Sequence, residues 1–172
     1  MKNTSEGFLK AMRIFAWIVF IWFLVKAGAI IISFGASINN PEGAKDLYRG
    51  LNLSRYYQAS FIHYTIIVLY YIILYLLQAY IALFATRLLS VNTLQNLYTN
   101  TVLGIIQKIK TTALGVFIVS ILHDIHVELL ARYATIEADV FSIAYIFMAG
   151  MLFVMTLFLE QTLATKIQPD KA

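Results

Sequence analysis

Seven ionisable side chains carry what chemistry this chain offers inside an apolar setting: Lys26, His63, His123, Asp124, His126, Glu128 and Arg132. Histidine changes charge near neutral pH, and a carboxylate beside it can hold or pass on a proton. Asp124, Glu128 and Arg132 are four apart, so they share one stripe of a helix, and Glu128 and Arg132 can pair along it. The combination suits cation binding, proton relay or pH sensing. A structural reading stands beside these: Lys26 snorkels outward, Asp124 pairs with it, and His123 to Arg132 mark where a short span meets headgroups. His123 and His126 are three apart with no third ligand in view, so no metal is assigned.

The usual catalytic signatures are absent: no glycine-rich phosphate loop, no G-x-S-x-G and no H-E-x-x-H. His126-Val127-Glu128 imitates half of a zinc-deaminase motif, but there is no cysteine to complete it. The lack of cysteine also excludes disulfides, thiolate metal sites and thiol nucleophiles. A non-enzyme with no cofactor is expected.

The elements that must position these groups are apolar and long. The chain has 172 residues, 60% hydrophobic and 13% charged, against about 25% charged in a soluble domain. Its mean hydropathy is +0.76. The stretch 59–86 holds no charged side chain and, as a helix, would run about 42 Å, more than the roughly 30 Å core of a bilayer. Three partners accompany it, giving spans of about 8–33, 59–88, 111–132 and 140–159 in a single membrane domain covering 1–172. The start resembles a signal peptide, with Ala27-Gly28-Ala29 placed like a cleavage site. Apolar character resumes after Lys26, so an uncleaved first span is expected. Between the first two spans, Asn40 and Pro41 open a short helix expected to lie on the membrane surface, and Gly50 stops it. A polar tail containing Pro169 follows the last span.

Depth along these spans brings the ionisable groups to one level. Counting from Ile14, Lys26 lies about 18 Å in; counting from Thr111, Asp124 lies about 20 Å in. His63, near the start of span two, joins them, so all three histidines are expected in one outer-leaflet polar layer. Span two also carries Tyr70, Tyr71 and Tyr75 near its middle, too deep for an interfacial belt. Helix-to-helix hydrogen bonds and packing are the expected role of these tyrosines; a lipid or quinone-like groove is the alternative.

Between spans two and three, Leu94, Leu97, Tyr98, Val102, Ile105, Ile106 and Ile109 repeat at helical spacing. An amphipathic helix at the interface is expected there, turning into span three. With both termini on one side, that side holds Lys2, Lys10, Arg13, Arg87, Lys108, Lys110, Lys166 and Lys171, against Lys45, Arg49, Arg55 and Arg132 on the other. The excess of basic residues predicts cytoplasmic termini. The basic residues form no stripe with interleaved aromatics, so nucleic acid is not expected as a partner.

The stretch QAYIALFATRLLSVNTLQNLYTNTVLGIIQKIKTTALGVFIVSIL, residues 78–122, resembles a bacterial membrane family catalogued as domain of unknown function 2975. The resemblance implies four spans, an amphipathic segment between spans two and three, and an N-P-F-like element, here Asn96-Leu97-Tyr98 with leucine in place of proline. The acidic, threonine-containing ending of the family is missing after Glu160. The resemblance brings no catalytic residues. Family members often sit beside a helix-turn-helix regulator gene, which implies an inducible membrane component, here in a bacterial inner membrane.

The expected fold is all-α, an integral membrane four-helix bundle with an amphipathic interfacial helix between spans two and three. The expected role is an accessory or sensory subunit acting through the lipid bilayer, other membrane subunits or further copies of itself. A small ion channel or proton-linked transporter using the polar layer is the alternative, and a membrane-embedded lipid enzyme the third reading.

Overall fold

The computed structural model describes residues 2–90 and 98–167, which are mostly helical, with no strand among them. Four helices are long and apolar enough to cross a bilayer, and the chain is an all-α, multi-pass membrane protein. Helix α1 spans Lys2–Asn39. A 3-10 helix at Pro41–Lys45 and a short α2, Ser54–Ala59, form the first connection. Helix α3 spans Phe61–Leu88, α4 Asn100–Ala134 and α5 Ile143–Ile167. The α3 and α4 helices are about 42 and 52 Å long at 1.5 Å per residue, so each exceeds the hydrocarbon core.

Local chemistry sets the boundaries. Asn40 precedes a proline and is extended (φ −138°), which ends α1. Its side chain then accepts from the Glu42 amide at 3.1 Å and caps the 3-10 helix. The helix expected between Asn40 and Gly50 is only the 3-10 turn Pro41–Lys45, and this stretch packs against the bundle. Ala44, Leu47 and Leu53 are fully buried beside Tyr56, Tyr64, Ile67 and Val68, so the connection plugs one end of the bundle. A turn held by the Asp46 carboxylate on the Gly50 amide (2.9 Å) makes this possible, with Gly50 at φ +87°, a conformation glycine adopts without a Cβ clash. Gly43 lies against α1 so closely that a Cβ would sit 3.2 Å from the Ser37 backbone.

The amphipathic stretch before span three is not a separate interfacial helix from Asn100 on. It is the first part of α4, capped by Thr99, whose side chain accepts from the Val102 amide at 3.4 Å. The cause is phase. Val102, Ile106, Ile109, Ala113, Val116, Ser120, His123, Val127 and Leu130 form one buried stripe at alternating spacings of four and three. A stripe of that period faces a neighbour along its whole length, so the helix has no reason to bend. The helix ends at Thr135, which is left-handed (φ 55°). Leu94, Leu97, Asn96 of the family-like element and the 168–172 tail lie outside the described residues.

Sequential helices pack in order: α1 on α3, α3 on α4, α4 on α5. The α1 and α5 helices are not packed together, and only 11% of the apolar window of each is buried, against 33% for α3 and α4. We call the end that carries 40–60 and 135–142 the loop side, and the opposite end the terminal side. The core has two parts. The loop-side cluster includes Ile30, Leu47, Tyr64, Ile67, Val68, Tyr71 and Val127. Toward the middle lies a smaller apolar layer of Leu74, Val116 and Ala149, packed by Leu77, Ile81, Phe117 and Val119. At the terminal side, Lys110 pairs with Glu160, which also accepts from Gln107 at 3.0 Å, tying α4 to α5.

Candidate functional site

The three histidines do meet on the loop side. His63 Nδ1 on α3 lies 2.8 Å from His126 Nε2 on α4, a hydrogen bond in which one ring donates and the other accepts. One turn deeper, His123 is fully buried because it falls on the inward stripe of α4. Its Nδ1 lies 2.9 Å from Asp124 Oδ1, within hydrogen-bond distance. His123 Nε2 is buried without a hydrogen-bond partner among the described residues. Aromatic rings enclose it: Phe141 at 4.5 Å, Tyr71 at 5.2 Å and Tyr70 at 5.8 Å between centroids. Tyr70 also meets His126 edge-on at 5.9 Å.

Asp124 has a second role. The same Oδ1 accepts from the Phe141 amide at 3.0 Å, so it anchors the connection that leads into α5. Just outside, the Tyr56 hydroxyl accepts from the Asp139 amide at 2.8 Å, and Arg55 reaches Glu137 and Asp139 at 3.4 and 3.9 Å. Tyr56 is fully buried, and burial pushes its phenol above the ordinary value of 10.0. The polar layer is thereby joined through Asp124, Phe141 and Asp139 to both loop-side connections.

Two parts of the sequence expectation need correction. Lys26 does not pair with Asp124. Its ammonium lies over the rings of Trp22, Phe23 and Tyr75 at 5.5, 5.9 and 5.1 Å, and it has no carboxylate partner among the described residues. The two groups share a depth but not a face, because α1 packs on α3 and not on α4. Glu128 and Arg132 do pair, at 2.7 Å, but on an exposed face of α4 away from the histidines. The layer is therefore His63, His123, Asp124 and His126, with Lys26, Glu128 and Arg132 outside it.

The mid-span tyrosines contact other helices by their rings. Tyr71 meets His123 and Phe141, and Tyr75 stacks on Phe23 of α1 at 6.2 Å. The expected helix-to-helix hydrogen bonds do not form: no hydroxyl of Tyr70, Tyr71 or Tyr75 has a hydrogen-bond partner among the described residues. Tyr71 and Tyr75 instead line a cavity of about 390 Å³ that also touches Lys26, Gln78, Ser142 and Tyr145. Gln78 Nε2 donates to the Tyr145 hydroxyl at 2.5 Å, an α3–α5 contact absent from the sequence reading. Its signal was a lone amide in an otherwise uncharged span.

Among the described residues no three histidine or acidic side chains are arranged to hold a metal ion. What the layer can do is share and exchange protons. A second proton on the His63–His126 pair would set two N–H groups face to face and break the bond. No family model, no curated protein and no solved structure matches the chain.

Proposed function

We propose that this protein is a non-enzymatic accessory or sensory subunit of a membrane assembly, in which the histidine layer acts as a proton-sensitive clasp between α3 and α4. The observation that carries this is the His63–His126 hydrogen bond between the two helices. Around it stand Tyr70 of α3, His123 and Asp124 of α4, and Asp139 of the α4–α5 connection. Acidification charges both imidazoles and loosens the clasp; the link from Asp124 to the Phe141 amide passes the change toward α5. The basic excess on the terminal side supports cytoplasmic termini in a bacterial inner membrane, which puts the clasp on the extracytoplasmic side. The resemblance of residues 78–122 to the family of unknown function supports the same bacterial setting.

The transport reading is less well supported. Leu74, Val116 and Ala149 lie between the histidine layer and the Lys110–Glu160 pair, so the described residues of a single chain offer no continuous polar path. The lipid-enzyme reading lacks a catalytic signature. The test is purification from native membranes in mild detergent together with flux assays in liposomes. A membrane partner that stays bound at neutral pH and dissociates on acidification, with that pH dependence lost in His126→Phe, supports the proposal. Ion flux that His126→Ala or Asp124→Asn abolishes overturns it in favour of transport.

A further inference from the structure

A second site adjoins the histidine clasp. The cavity of about 390 Å³ at Tyr71 and Tyr75 shares Phe23, Gln78 and Tyr145 with another of about 370 Å³. The two are one cleft, floored by α3 and walled by α1 and α5, which are not packed on one another. Each part falls in the size range of small-molecule sites. We propose that this cleft binds a single-chain amphiphile with an anionic head, a carboxylate or a phosphate, taken sideways from the loop-side leaflet.

Three observations point to that chemistry. The first is charge. Lys26 stands in the span with three aromatic rings around it and no carboxylate among the described residues. A cation at that depth is costly without a counter-ion, and an anionic head supplies one. A further cavity of about 440 Å³ shares Lys26 and Tyr75 with the cleft and carries Arg49, so a second cation stands at its loop-side mouth.

The second is hydrogen bonding. Tyr71 and Tyr75 offer two hydroxyl donors with no acceptor among the described residues. Gln78 presents the reverse: Oε1 is buried and has no donor, while Nε2 is engaged by Tyr145. A head that accepts, followed by a hydroxyl or amide that donates, satisfies all of them. Leaving such groups unpaired in a membrane interior is unfavourable.

The third is the gradient of the lining. It runs from Lys26 to Val19 on α1, from Tyr71 to Ala82 on α3, and from Tyr145 to Leu152 on α5. These are drops of about 10, 16 and 10 Å along the helices. In each case the polar member is nearer the loop side and the apolar member nearer the bilayer middle. That is the polarity of an amphiphile in the loop-side leaflet. Tyr71 and Phe141 belong both to the cleft and to the ring cage around His123, so an occupant would touch the walls of the clasp.

The test uses the full chain in neutral detergent and native mass spectrometry. Probes are palmitate, palmitoyl-lysophosphatidate, uncharged monopalmitoylglycerol and inorganic phosphate. One equivalent of each anionic amphiphile is expected to bind saturably. The uncharged probe and Lys26→Met are each expected to bind about tenfold more weakly (~1.4 kcal/mol), with Lys26→Arg restoring affinity. Gln78→Leu weakens lysophosphatidate, which has a free hydroxyl, and leaves palmitate, which has none. Binding of palmitate alone selects a carboxylate head, and of lysophosphatidate alone a phosphate head. Should Lys26→Met not fold, Leu152→Trp narrows the apolar end and must weaken both anionic amphiphiles. Equal binding of the uncharged probe, uptake that never saturates, or inorganic phosphate competing as well as the amphiphiles overturns the proposal.

Discussion

Asp124→Ala removes one oxygen that serves two donors. Oδ1 accepts from His123 Nδ1 at 2.9 Å and from the Phe141 amide at 3.0 Å. Truncation orphans both donors, and a buried donor left without a partner costs about 1–3 kcal/mol. His123 is fully buried and bears the full loss; Phe141 is half-buried, so water can replace part of its bond. The expected destabilisation is about 3 kcal/mol. Asp124→Asn keeps an acceptor oxygen and loses only the charge, so about 1 kcal/mol is expected. Lys26→Met combined with either change should be additive within about 0.5 kcal/mol, because Lys26 and Asp124 have no shared partner. The assay is equilibrium unfolding in mixed micelles followed by far-UV circular dichroism. Coupling of more than about 1 kcal/mol between Lys26 and Asp124, or an Asp124→Ala protein as stable as the parent, refutes the reasoning.

Ser37 and Tyr64 are both fully buried and 2.7 Å apart, and Ser37 Oγ already donates to the Phe34 carbonyl, so Tyr64 is the donor between α1 and α3. Tyr64→Phe should cost about 1 kcal/mol in the same unfolding assay, and Ser37→Ala more, because it strands the Tyr64 hydroxyl. Tyr56→Phe should lose about 1–2 kcal/mol at neutral pH by freeing the Asp139 amide. Because burial raises the Tyr56 phenol above 10.0, its contribution is complete below that value and is lost as pH climbs through the folded value; the alkaline fall in stability should be shallower in Tyr56→Phe, as unfolding measured across alkaline pH will show. Single cysteines at Ser54 and Ser90, read against a chain with none of its own, should label from opposite faces of the membrane with an impermeant reagent.

Much of the fold was legible because membrane helices announce themselves by length and apolar content, and α3 was visible as the uncharged run 59–86 that Arg87 closes. The meeting of His63, His123 and His126 was legible from depth alone, since rise per residue fixes level. Depth does not fix azimuth, and that is why Lys26 was assigned to Asp124 when its neighbours are rings of α1 and α3. The true second partner of Asp124 is the Phe141 amide, and a backbone donor leaves no mark in a sequence. The amphipathic stretch before span three was expected to be a helix at the interface that turns into that span. Its apolar positions are in register with Ala113, Val116 and Ser120, a phase relation that continues the helix and that local amphipathicity does not reveal. The cleft was hardest to foresee, because it depends on α1 and α5 standing apart.

The clasp can be tested by distance. Spin labels on cysteines at Ile62 of α3 and Leu129 of α4, both exposed, report the separation of the two helices in bilayers by pulsed electron resonance. On acidification far enough to charge both imidazoles, the distance distribution should shift to longer values, and the shift should vanish in His126→Phe. A distribution that stays unchanged until the protein unfolds in acid, or the same shift in the variant, contradicts a proton-sensitive clasp between His63 and His126.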